Sequence, residues 1–168
     1  MTVRVYLAGP GVFHPDADEL AKELRGLCNR HGLDGLWPAE GDRGILRTSR
    51  AIFEANIRLL RSADAVIAEI SPFRGPNVDD GTAWEIGFAC ALEKPVFAWT
   101  NHPDPLAWRI EGRTAEDGVL RDRDGCMIED FAAPANLMIA EACRSISSRP
   151  EAAIAAAAKH FQTYLRPV

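Results

Sequence analysis

The sequence predicts a parallel α/β sheet of about five strands with helices on both faces, and three observations carry that prediction. Short β-branched, apolar runs suited to buried strands recur along the chain. Segments with helical periodicity alternate with them. The spacing leaves room for a helix between successive runs, which is what crossovers between parallel strands require.

Val3 to Leu7 reads as the first strand, ending at the turn Gly9-Pro10-Gly11. A helix capped at Asp16, with Glu19 three residues on, carries Leu20, Leu24, Leu27 and Cys28 on one face and closes at Gly32. Leu33 to Trp37 is a brief strand. A Gly-rich loop through Gly44 follows, then a helix from about Thr48 with Ile52, Phe53, Ile57 and Leu60 on one side. Ala65 to Ile70 and Pro95 to Trp99 are the next strands, separated by the loop SPFRGPNVDDG and an apolar helix from about Thr82 to Leu92. From Asn101 to Asp130 the chain is polar and without periodicity, and reads as loop. Pro134 to Cys143 reads as a short helix and Arg144 to Ser147 as a last strand. Ser148-Arg-Pro-Glu151 is a capping box opening an Ala-rich helix to about Tyr164.

The 168 residues are read as one domain, 1–168, without repeat or linker. A net charge of −5 with no basic run disfavours a nucleic-acid polymer or an anionic membrane surface as partner. No signal peptide and no apolar run of membrane-spanning length is recognised, so a soluble, cytoplasmic protein is expected. Cys28, Cys90, Cys126 and Cys143 are scattered without a CxxC pair and read as reduced packing residues. His14, His31, His102 and His160 show no metal-ligand spacing, so no metal and no cofactor is assigned.

In such a sheet ligands bind beyond the carboxyl ends of the strands. The turn after the first strand contains a GxG, yet His14 stands where a dinucleotide fingerprint has its third glycine and Pro10 intrudes. The loop before the third helix says more. Between Gly81 and Leu92 the only charged residue is Glu85, on a face with Phe88, Ala89 and Leu92. A carboxylate buried there costs several kcal/mol unless it is paired or opens on a cleft. Asp79 brings a second carboxylate into the same region, and such a pair is the equipment for displacement at an anomeric carbon. Glu85 could equally cap backbone amides or pair with an arginine. Asn56 lies in the apolar stripe of the second helix, where an amide needs a hydrogen bond from backbone or ligand. Tyr6, in mid-strand, needs a partner for its hydroxyl.

These residues carry a likeness. The chain resembles the nucleoside 2-deoxyribosyltransferases in Tyr6-Leu-Ala-Gly-Pro10 with Phe13, in Asn56 eight residues before Asp64 of Ser-Ala-Asp-Ala-Val-Ile-Ala-Glu69, in Ser71-Pro-Phe-Arg-Gly75, in Asp79-Asp-Gly-Thr-Ala-Trp-Glu-Ile-Gly87, and in Asn136-Leu-Met138. The resemblance implies a flavodoxin-like three-layer fold, with Glu85 as nucleophile, Asp79 handling the proton on the base and Tyr6 positioning the nucleophile. It places Phe13 near the base, and Gly9, Asn56, Asp80, Gly81 and Trp84 at the substrate. Asn136 and Met138 would reach into a neighbouring subunit's site, implying a homo-oligomer such as a dimer of dimers or a hexamer.

The implied activity is exchange of the base of 2′-deoxyribonucleosides with a free purine or pyrimidine base through a deoxyribosyl ester on Glu85, in nucleoside salvage and without a cofactor. Where some members carry aspartate, this chain has Asn56. Related enzymes that hydrolyse nucleoside monophosphates tend to carry a small hydroxyl residue where Asn136 stands, which favours free nucleosides here. Two alternatives use the same chain differently: an N-glycosidase of nucleosides or nucleoside 5′-monophosphates with water as acceptor, and a flavodoxin-like module that binds a nucleotide or flavin without reacting.

Overall fold

The computed structural model describes residues 2–38 and 48–164. The expected Gly-rich loop through Gly44 lies outside the described residues. Five strands form one parallel sheet: β1 (Val3–Ala8), β2 (Leu33–Leu36), β3 (Ala65–Glu69), β4 (Val96–Trp99) and β7 (Cys143–Ser147), in the order β2-β1-β3-β4-β7. This is the flavodoxin-like order, with its switch point between β1 and β3, where Val5 pairs with Ala65 and Ala8 with Ala68.

Alternation along the strands builds two cores. Val5, Leu7, Ala65, Ile67 and Phe97 face α1 (Ala17–Arg30) and α5 (Pro150–Tyr164), where Ala21, Leu27, Cys28, Ala153, Ile154 and Ala157 meet them. The alanines of α5 let that helix lie close on the sheet. Tyr6, Ala8, Val66, Ala68, Val96 and Ala98 face the other way, toward α2 (Ser49–Ser62) and α3 (Asp80–Ala91), meeting Leu60, Ile86 and Ala89. Because both faces are covered, Val5, Tyr6, Val66 and Ala68 have no solvent exposure.

α2 is less fully seated than its periodicity predicts. Thr48 caps it, its hydroxyl oxygen accepting from the Ala51 amide at 3.2 Å. Yet Leu60 is its sole buried residue, and Ile52 and Phe53 stay exposed at 36% and 44%. The N-terminal half of α2 thus stands off the core and leaves a cleft against α3. At α1, Asp16 occupies the N-cap position without a side-chain cap bond, and Asp18 and Glu19 supply the first-turn acids that complement the helix dipole.

Between β4 and β7 the structure corrects the expectation of loop. A 3-10 turn spans Leu106–Arg109, and β5 (Gly112–Thr114) pairs antiparallel with β6 (Leu120–Asp122). Gly118, at φ +80°, sits in the connection. Strands of three residues with no buried side chain carry too little alternation to announce themselves. The helix expected over 134–143 is shorter, α4 (Leu137–Ala142), because Asn136 is its N-cap and Cys143 already belongs to β7. The packing role given to the cysteines holds for Cys28 and half-buried Cys143, whereas Cys90 and Cys126 are exposed.

Candidate active site

Tyr6 and Glu85 meet where β1 runs beneath α3. The Tyr6 hydroxyl donates to Glu85 Oε1, so the buried phenol finds its partner in the one carboxylate on this helix face. Register explains the pairing: Tyr6 is the fourth residue of β1 on the face that α3 covers, and Glu85 is one turn in from the α3 N-terminus. The helix buries Thr82, Ile86 and Ala89, one residue round from the expected stripe, which leaves Glu85 at the edge of the core facing the cleft.

The Glu85 carboxyl is raised to about 7, by burial above all, against the Tyr6 hydrogen bond that pulls it down and with a smaller upward push from the negative charge of Asp79. The Tyr6 phenol is pushed well above its usual range by burial first and then by Glu85. A carboxyl whose folded pKa lies above its unfolded one favours the folded state while protonated, and that advantage is lost as pH rises from about 4.5 through about 7. Gln at this position can still accept the Tyr6 hydrogen bond without carrying charge. Glu85→Gln is therefore expected to gain stability relative to the parent by about 1–3 kcal/mol on passing from pH 4.5 to pH 8. Urea unfolding of both proteins across that range checks it; a constant difference would mean that Glu85 is not destabilised by burial.

Asp79 is the N-cap of α3. Its Oδ2 accepts from the Thr82 amide at 2.9 Å and from the Thr82 hydroxyl at 3.0 Å. A side chain at Gly81 would bring its Cβ to 3.1 Å from that same oxygen, so glycine keeps the cap uncrowded. Asp80 is exposed in the first turn beside it.

The cleft left by α2 holds about 320 Å³ and is lined by Phe53, Asn56, Ile57, Leu60, Gly81, Trp84 and Glu85. Four of the residues singled out in the sequence thus come together, and Tyr6 supports one of them from below. Trp84, 47% exposed, stacks on Phe88 at 5.0 Å and meets the edge of Phe53 at 5.5 Å. The cleft therefore has an aromatic wall beside a carboxylate.

Phe13 and Gly9 stand apart from that group. The 3-10 turn Pro10–Phe13 carries the Phe13 ring onto Phe73, at 5.6 Å, beneath the Arg74 guanidinium at 5.4 Å. Both residues line a separate cavity of about 500 Å³ with Trp37, Glu69, Phe73, Arg74 and Trp99. Asp79 and Asp80 border a third hollow, of about 250 Å³, that shares Phe73 and Arg74 with the second. Asn136 caps α4, its Oδ1 accepting from the Met138 amide at 3.0 Å, and its Nδ2 donates to Glu129 Oε2 at 3.0 Å. Met138 is 73% exposed.

Three residues escaped the sequence reading. Glu69 ends β3 facing the second cavity, and burial raises its carboxyl above the usual range; a carboxylate closing an otherwise apolar strand was the available signal. Glu129, which grips Asn136 and the Leu137 amide, and Arg109 lie in the stretch read as loop. Among the described residues no cluster of His, Cys, Asp and Glu could hold a metal ion, and none of their helices is long and apolar enough to cross a membrane.

Residues 5–138 match the family model described as nucleoside 2-deoxyribosyltransferase. The chain belongs to this family. A 2-deoxyribosyltransferase from Leishmania mexicana is 31% identical and superposes with a TM-score of 0.79, over 94% of this chain and 98% of that one. An uncharacterised protein of Schizosaccharomyces pombe is 32% identical over 155 residues, 80% of this chain and 74% of its own. A 2-deoxyribosyltransferase from Bacillus psychrosaccharolyticus, at 19% identity and TM-score 0.56 over 89% of each chain, shares the fold. Tyr6, Glu85, Asp79 and Asn136 all fall inside the matched span.

Proposed function

We propose that this family member exchanges the base of 2′-deoxyribonucleosides through a covalent intermediate on Glu85. The observation that carries the reading is the Tyr6–Glu85 hydrogen bond, which aims a half-buried carboxylate at a cleft walled by Trp84, with Asp79 capping the helix that carries it. In the first displacement a Glu85 oxygen bonds to C1′ as the C1′–N bond breaks; its electron pair goes to the departing base, which takes a proton from Asp79. In the second, a nitrogen of the incoming base attacks C1′, the ester C–O bond breaks and returns the carboxylate, and Asp79 recovers the proton. Two inversions at one carbon retain the β-configuration.

Asn56, at the cleft wall, is suited to a hydrogen bond with the sugar or base. Phe13, Gly9, Asp80 and the Asn136–Met138 segment are assigned to the substrate's surroundings by family likeness. Exposed Met138, on a helix whose Ile139 packs inward, fits a contribution to a neighbouring subunit in a homo-oligomer.

Incubation of the protein with deoxyinosine and free adenine, followed by chromatography and NMR of the products, tests the reading. β-Deoxyadenosine and hypoxanthine are the expected products, with slow release of 2-deoxyribose when adenine is left out. An α-nucleoside would exclude double displacement, and deoxyribose release undiminished by millimolar adenine would make the protein an N-glycosidase.

A further inference from the structure

We propose that Arg109 is a positioning residue, which ties the loop carrying Asp79 to the turn carrying Asn136 and acts on the reaction only through them. Its kinetic consequence rests on the base-exchange reading above; its geometry does not. Arg109 ends the 3-10 turn Leu106–Arg109. Its Nε donates to the Pro76 carbonyl at 3.4 Å, Nη1 to the Asp104 carbonyl at 2.7 Å and the His102 carbonyl at 3.5 Å, and Nη2 to the Pro134 carbonyl at 2.5 Å.

Pro76 lies three residues before Asp79, and Pro134 two residues before Asn136. One planar fork thus joins three chain segments that leave the carboxyl ends of β3 and β4 or lead into α4. The neighbouring Leu106 amide reinforces the link, donating to the Ala133 carbonyl at 2.8 Å.

Two features of the loop before Asp79 bear on this tie. Arg74 holds φ +54°, a conformation that non-glycine side chains disfavour and that persists only where surroundings impose it. Within residues 71–79 the Phe73 amide donates to the Asn77 carbonyl at 2.9 Å, and the Pro76 carbonyl of that turn is held from outside by Arg109 Nε. A lysine ammonium is a compact point donor and cannot reach carbonyls spread around the separate edges of a guanidinium plane. Arginine is therefore the side chain this junction requires.

The test uses the full-length protein with Arg109→Ala and Arg109→Lys, each alone and combined with Asp79→Asn. With Asp79 present, Arg109→Ala is expected to lower kcat for base exchange by up to about 10²-fold, as small displacements of catalytic groups do. In the Asp79→Asn background the same change should cost at least about threefold less than it does beside Asp79, because the part of the effect that passes through Asp79 is already lost and only the part through Asn136 remains. Arg109→Lys should recover less than half of the loss on a logarithmic scale. A loss that persists undiminished beside Asp79→Asn, or full rescue by lysine, would overturn the proposal. Hydrogen exchange supplies a readout independent of activity: amides of 77–82 and of 135–140 should both exchange faster in Arg109→Ala and Arg109→Lys, while those of β1 and β3 stay unchanged. Unchanged exchange in either segment would show that Arg109 ties nothing there. Absence of base exchange by the parent protein would defeat the functional reading and leave this arm to decide the tie.

Discussion

Glu85→Ala and Glu85→Gln are each expected to lower base exchange by a factor on the order of 10⁶, the scale seen when a covalent nucleophile is removed from groups that work as a unit. Folding should survive, because each change removes a half-buried charge whose pKa is already displaced upward. Single-turnover assays over days, with circular dichroism as the control for folding, decide the matter. Retention of a tenth of the parent rate by Glu85→Ala would remove Glu85 from the nucleophile's role. The parent's pH profile belongs to the same test. Since the nucleophile must be ionised, exchange of a base that departs without a proton should rise through an apparent pKa near 7. Tyr6→Phe deletes the hydrogen bond that pulls this pKa down, so its rising limb should move to higher pH.

What could be read from the chain beforehand followed from periodicity and from residues that broke it. β1, β3 and β4 were legible because strands buried on both faces leave short, largely apolar runs, broken in β1 only by Arg4 near its start, and Glu85 because it interrupts an apolar helix. Its partner could not be read from periodicity, and Tyr6 was named in that role only through the family likeness. Tyr6 and Glu85 are 79 residues apart, and only the register of β1 beside β3, with α3 laid over both, brings them together. Phe13 shows the opposite case. Its assignment near the base came from sequence likeness alone, and the turn after Gly9 sets its ring against Phe73 beside the cavity that Trp37 and Glu69 also line. The stretch holding Arg109 and Glu129 had no period to read, since its strands are three residues long and its contacts run from side chains to carbonyls and amides of other segments.

Asp79→Asn is expected to slow exchange by about 10²–10⁴-fold, the usual contribution of a positioned acid or base. Asparagine is the informative substitution because it caps a helix as well as aspartate does, so the bonds from the Thr82 amide and hydroxyl can persist while the proton donor is lost. Asp79→Ala should add a loss of stability of about 1 kcal/mol from the missing cap. If Asp79 protonates the departing base, the penalty must depend on the base. It should be large for adenine or hypoxanthine and shrink for a base that departs readily as an anion. Asparagine also removes a negative charge that raises the Glu85 carboxyl, so the rising limb of the residual activity should move to lower pH, opposite to the shift expected for Tyr6→Phe. Pre-steady-state rates for a good and a poor leaving group, measured from pH 5 to pH 9, test both consequences together. Equal losses for the two bases with an unmoved limb would reduce Asp79 to the helix cap that the structure already shows it to be.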